Sequence, residues 1–122
     1  MIIKESAENY LESILMLRKR NGFVRSIDVA NELGVSKPSV SVAMKQFRQE
    51  GYIIIDEDGG ISLTQKGLQI AERIYERHQV IARALIALGV DEQTAYEDSC
   101  KIEHDISQQT FERIKDFLEK QQ

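Results

Sequence analysis

Proline occurs once in this 122-residue sequence, at Pro38, cysteine once, at Cys100, and glycine seven times. So few chain breakers leave the helical patterns almost uninterrupted. A single cysteine excludes a disulfide framework within the chain. No apolar run approaches the ~20 residues that a membrane span requires. The opening Met1-Ile2-Ile3-Lys4-Glu5 lacks the basic start and long apolar stretch of a secretory leader. A soluble, cytoplasmic protein is the expectation. Internal repeats and low-complexity segments are missing, and so are a glycine-rich phosphate loop and a nucleophile elbow. An enzyme is therefore not expected.

An excess of positive charge is also missing. The net charge is −4, which by itself does not favour nucleic acid as a partner. Its distribution is uneven. Residues 1–70 hold nine Lys/Arg against nine Asp/Glu, and residues 71–122 hold seven against eleven. The acidic excess thus lies wholly in the second half. A neutral first half can still bind DNA if its few cations share one face. The hydrophobic share of 42% suits one compact unit, or two small ones sharing a core.

Residues 6–20 carry Tyr10, Ile14 and Leu17 at helical spacing, widened by Leu11 and Leu15, with Ser6 as the expected N-cap and Asn21-Gly22 as the stop. A short helix is expected next, capped by Ser26, facing inward through Ile27, Ala30 and Leu33, and ended by Gly34 in the left-handed conformation. After a tight turn Ser36 caps a further helix with Pro38 in its first turn, where proline is harmless. Val40, Met44 and Phe47 then point inward as far as about Glu50. Two helices joined through Gly34 form a helix-turn-helix pattern. The β-branched run Tyr52-Ile53-Ile54-Ile55, the turn Asp56–Gly60 and the return Ile61-Ser62-Leu63 read as a hairpin, which in this position is a wing. Thr64 caps a long helix to about Leu88, and two further helices, split near Ser107, fill Asp91–Lys120.

Ser36, Lys37, Ser39, Ser41, Lys45 and Arg48 form the cap and polar side of the second helix of the pair. Hydroxyls near a helix N-terminus reach phosphates or base edges, and Lys/Arg neutralise backbone charge. On an isolated helix such residues would simply be solvated, but the wing that follows favours DNA contact.

A second constellation is Cys100, Glu103 and His104, at i, i+3 and i+4, which a helix places on one face. A thiolate, a carboxylate and an imidazole so arranged suit a divalent transition metal. The only other histidine, His78, lies on the long preceding helix, and Asn9 and Glu12 form an i, i+3 pair of oxygen donors on the first. Three helices thus carry donors suited to one site. A cysteine protease would take its Cys and His from separate elements around a cleft, so two residues four apart fit a ligand pair better.

These segments resemble the diphtheria toxin repressor family, above all its manganese transport regulator branch. The resemblance rests on Ser-Ala-Glu-Asn-Tyr-Leu-Glu-Ser (6–13), Ile-Asp-Val-Ala-Asn-Glu-Leu-Gly-Val-Ser (27–36), Gly-Tyr-Ile (51–53), Leu-Thr-Gln-Lys-Gly (63–67), Leu-Gly-Val-Asp-Glu (88–92) and Cys-Lys-Ile-Glu-His-Asp-Ile-Ser (100–107). It implies a mainly α fold, with a winged helix-turn-helix DNA-binding domain at 1–70 and a helical metal-binding and dimerisation domain at 71–122. It further implies a homodimeric repressor, activated by Fe2+ or Mn2+, that binds a pseudo-palindromic duplex and controls metal-ion homeostasis genes. The family's metal ligands fall on Asn9, Glu12, His78, Cys100, Glu103 and His104. The manganese branch has an aspartate where Asn9 stands and a glutamate where Cys100 stands. The iron branch shares the cysteine but has a methionine at Asn9, and its ancillary site uses a glutamate and a histidine where this chain has Ala82 and Tyr96. Also implied is the shorter, manganese-type organisation without a C-terminal SH3-like domain.

The expected mechanism is linkage. Metal held by donors from both halves restricts their relative motion, sets the separation of two recognition helices in a dimer, and favours the DNA-competent population. The resemblance implies that the manganese branch's two-metal cluster relies on bridging carboxylates, so with Asn9 and Cys100 in place of two of them one principal ion per subunit is expected. A thiolate favours softer ions than Mn2+, so Fe2+ is expected as activator, with Zn2+ or Co2+ binding at least as tightly in vitro. Two alternatives are a winged-helix regulator without a metal co-repressor and a winged-helix module for protein contacts.

Overall fold

The computed structural model describes residues 5–120. Met1-Ile2-Ile3-Lys4, read above for the absence of a leader, lie outside them. The element order is α1 (Glu5–Asn21), α2 (Ser26–Leu33), α3 (Lys37–Gln49), β1 (Ile53–Ile55), β2 (Ile61–Leu63), α4 (Gln65–Ala87), α5 (Glu92–Ile102) and α6 (Gln108–Lys120). The chain divides into two compact units, one up to Glu72 and one from Arg73.

In the first unit, α1, α2 and α3 bury one stripe each, and β1 and β2 pair antiparallel with Ile53 opposite Leu63 and Ile55 opposite Ile61. Leu11 and Ile14 of α1, Val29 of α2, and Val40 and Met44 of α3 are fully or nearly fully buried. Phe47 meets Tyr10 and Tyr52 edge-on, with ring centroids 5.9 and 6.4 Å apart, an arrangement that suits the aromatic quadrupole. The hairpin is tied to the helices by backbone bonds. Ile61 N donates to Val24 O at 2.8 Å, and Tyr52 N to Phe47 O at 2.9 Å. These bonds fix a small wing directly after α3.

Several local details differ from the expectations. α1 already includes Glu5, so Ser6 lies inside the helix and is not its cap. Arg25, not Ser26, occupies the N-cap of α2, and its N–H donates to Asp28 Oδ2 at 2.8 Å. The acidic residue in the first turn thus satisfies the cap's own N–H, the reciprocal half of a capping box. Ile27 is exposed and Val29 takes its place in the core. Tyr52 precedes the first strand but is buried by the ring contacts above. Gly34 has φ 65° and ends α2 as expected.

In the second unit, Val80 and Ile81 of α4 pack with Phe111 and Leu118 of α6, joined by Leu85, Ile102, Ile106 and Ile114. Arg77 donates to Ile106 O at 2.8 Å and lies 5.3 Å over the Phe111 ring. Lys115 pairs with Glu76 at 2.9 Å. Beside this core runs an open apolar groove of about 740 Å³, whose lining includes Leu85, Leu88, Ile114 and Phe117. Leu88 and Phe117 are 78% and 61% exposed.

Candidate nucleic-acid interface and metal centre

α3 is built to present a polar face. Ser36 caps it, accepting the N–H of Ser39 at 3.3 Å and donating to Ser39 Oγ at 2.8 Å. The Ser36 hydroxyl is therefore engaged in shaping the helix start, and Ser39 carries the adjoining exposed edge. Lys37, Ser39, Ser41, Lys45 and Arg48 are all exposed, across the helix from Val40, Met44 and Phe47. The helix holds three cations and no carboxylate, and its N-terminal dipole adds positive potential. The neutral first half thus concentrates its charge locally.

The wing is electrostatically opposite. Asp56 Oδ1 accepts the N–H groups of Asp58 and Gly60 at 2.9 and 2.8 Å and so turns the hairpin. Glu57 and Asp58 are exposed beside it. A tip with three carboxylates repels phosphate, so attraction to a duplex falls to α3.

The second unit brings several of the sequence's metal donors together. His78 projects from α4 and is buried, and Cys100 lies on α5, exposed. Cys100 Sγ stands 3.2 Å from His78 Nε2 and 3.9 Å from Nδ1. The same Nε2 lies 3.1 Å from the carbonyl oxygen of Tyr96. A proton on Nε2 satisfies that carbonyl and leaves Nδ1 with a lone pair, which is how a backbone oxygen sets the tautomer of a ligating imidazole. The Tyr96 ring meets the His78 ring edge-on, with centroids 5.8 Å apart.

Glu103 and His104 differ from the helical placement expected of them. α5 ends at Ile102. Glu103 is its C-cap, with αR backbone and its N–H on Ser99 O at 3.0 Å, and His104 lies in the turn beyond. They remain adjacent, with His104 Nε2 3.4 Å from Glu103 Oε1. Both side chains are nearly or fully buried, at 3% and 0% exposure. A carboxylate so buried is stable only with compensating neighbours, and His104 is one of them. The structure thus shows two donor pairs, His78 with Cys100 and Glu103 with His104, and nitrogen, sulfur and oxygen donors of these kinds suit a first-row divalent transition metal of intermediate softness. Asn9 and Glu12 lie three residues apart on α1 in the first unit. Ala82 is fully buried and offers no donor, and the Tyr96 hydroxyl donates to Gln79 Oε1 at 3.4 Å.

Comparison with known proteins fits both halves. Residues 3–61 match the family model described as iron dependent repressor, N-terminal DNA binding domain, and residues 64–122 match iron dependent repressor, metal binding and dimerisation domain. An HTH-type transcriptional regulator of Methanocaldococcus jannaschii is 36% identical over 120 residues, covering 97% of this chain and 96% of the relative. The HTH-type transcriptional regulator MntR of Bacillus subtilis is 35% identical over 114 residues, covering 93% of this chain and 80% of the relative. Among solved structures, the manganese regulator SloR superposes with a TM-score of 0.79 at 29% identity, and the metal-dependent transcriptional regulator MtsR with 0.83 at 28%. The superpositions cover 98% and 93% of this chain, which spans about half of those proteins, 55% and 53%.

Proposed function

We infer the function from one premise: the chain belongs to the iron-dependent repressor family. On that premise we propose a homodimeric transcriptional repressor that acts in the cytoplasm, binds a pseudo-palindromic duplex when loaded with Fe2+ or Mn2+, and controls metal-ion homeostasis genes. Residues 1–70 form the DNA-reading half and residues 71–122 the metal-binding and dimerising half. Lys37, Ser39, Ser41, Lys45 and Arg48 meet the duplex, with Ser36 setting the start of their helix. The metal ligands are His78, Cys100, Glu103 and His104, to which the family resemblance adds Asn9 and Glu12.

The observation that carries the metal reading is that His78 Nδ1, the nitrogen left with a lone pair when Nε2 donates to the Tyr96 carbonyl, stands 3.9 Å from Cys100 Sγ on a different helix. An ion bound there supplies Lewis acidity that holds ligands together. Cys100 would meet such an ion as a thiolate, and because ligands must be deprotonated to bind, metal affinity would rise with pH. Tyr96 orients the His78 ring through its carbonyl. Glu103 offsets the ion's charge from inside the fold. Whatever metal adds to DNA affinity, DNA adds equally to metal affinity.

A gel shift on random genomic fragments, with and without Mn2+ or Fe2+, tests this function. Metal-dependent retention of a subset of fragments is expected. Retention that ignores metal favours the metal-free regulator, and no retention favours a module for protein contacts.

A further inference from the structure

The outward face of α3 carries one residue that neither folding nor phosphate binding explains. Val42 is 69% exposed, the most exposed large apolar side chain of the first unit among the described residues. At about 100° per residue, it stands across the helix axis from Val40, Met44 and Phe47. One turn to either side lie Ser39 and Lys45, with Pro38 and Gln46 beside them, all exposed. A β-branched residue here is also a poorer helix former than alanine or glutamine.

Single exposed apolar residues are ordinary on protein surfaces, so exposure alone would carry nothing. The position carries the argument. The N-terminal half of the second helix of a helix-turn-helix is the part that meets base edges, and Val42 occupies the middle of its outward face. Valine offers no hydrogen bond. The apolar group displayed in the major groove is the C5-methyl of thymine. A cytosine in that place would present an amino donor that valine leaves unsatisfied, which is costly once water is excluded. The acidic wing tip, Asp56, Glu57 and Asp58, repels phosphate and leaves base reading to this face.

We propose that Val42 determines sequence specificity by packing its methyl groups against the C5-methyl of one thymine in each half-site. This rests on the repressor reading above, and the test separates the two. Duplexes retained from a random library by the full-length chain with Co2+ are re-synthesised with each thymine replaced in turn by deoxyuridine, which removes only the methyl group. For the parent, one replacement per half-site weakens binding about fourfold, the worth of one buried methyl-sized group. In Val42→Ala and Val42→Ser that loss shrinks to within error, while helix content is unchanged because the side chain is not part of the core. Deoxyuridine profiles identical in the parent and both variants overturn the proposal and leave the repressor reading standing. A library from which metal-loaded protein retains no preferred duplex overturns both.

Discussion

Cys100 Sγ lies 3.2 Å from His78 Nε2, although 22 residues separate them in sequence. The approach joins α5 to α4 and leaves the other ring nitrogen, Nδ1, 3.9 Å from the same sulfur as the metal-competent donor. The nearby Tyr96 carbonyl, 3.1 Å from Nε2, gives the ring a fixed orientation without adding charge. A soft donor beside an oriented imidazole argues for ions softer than Mn2+.

The wing depends on a close approach that only glycine permits. A Cβ on Gly67, in the first turn of α4, would lie 2.1 Å from the carbonyl oxygen of Tyr52. That oxygen also accepts the N–H of Thr64 at 3.0 Å, so it is not free to move aside. Gly67→Ala is expected to destabilise the fold by about 1–3 kcal/mol. Urea unfolding measures this, and an unchanged midpoint would mean that α4 starts elsewhere.

Removing the cations of α3 should change the salt dependence of DNA binding and not merely its strength. Every phosphate that a side chain neutralises contributes about 0.9 to the log–log slope, through the counterions it releases. Lys45→Ala and Arg48→Ala, each exposed opposite the buried stripe, should each flatten the slope by about that amount. Equal slopes in the parent and both variants would place the phosphate-binding groups on another face.

Leu88 and Phe117 are exposed beside the apolar groove of the second unit, and an apolar surface of this kind marks an association site. By contrast Ile81 and Leu118 lie within that unit's own core. Leu88→Glu with Phe117→Glu is expected to yield a folded monomer in sedimentation and weaker operator binding. A dimer that survives the double substitution would move the interface elsewhere.

The start of α5 is pH-sensitive in a direction that can be worked out. The Thr94 hydroxyl donates to Asp91 Oδ2 at 2.6 Å and its N–H to Oδ1 at 3.1 Å, and these bonds hold the Asp91 carboxyl below its ordinary value. The cap's contribution is thus fully present above the unfolded carboxyl's range, near pH 4, and is lost as pH falls through the lower folded value. An NMR titration of Asp91 in Thr94→Val should show its midpoint rising toward the ordinary value. A midpoint that stays put would assign the depression to the backbone bonds alone.

Much of this was readable from the residues, and the misses have physical causes. Gly34, Ser36 and Thr64 announce their turns and caps because their side chains act on neighbouring backbone. Ser26 carries the same chemistry but lies inside a helix that begins one residue earlier, where Asp28 takes the N–H of Arg25, and Ser6 lies inside α1, which already includes Glu5. Periodicity gave the stripe of α3 correctly but misjudged Ile27 against Val29, because an eight-residue helix offers too few turns to fix its face. Regular spacing extended α5 through His104, whereas the chain leaves the helix after Ile102 to reach Ser107 and the start of α6. Two features left no signal in the sequence. One partner of His78 is a backbone carbonyl, which any residue supplies, and the need for glycine at position 67 arises only from the approach of Tyr52.

In the function proposed above, metal bound through Cys100 and its neighbours switches DNA binding. Calorimetric titration of the parent, Cys100→Ser and His104→Ala with Mn2+, Fe2+ and Co2+, followed by gel shifts at matched metal concentrations, tests it most directly. We expect both variants to bind metal at least roughly tenfold more weakly, since even supporting partners of a metal site are worth about that much, and to need correspondingly more metal to retain DNA. Metal binding by both variants equal to the parent's, or DNA retention by the parent that persists in excess chelator, would contradict it.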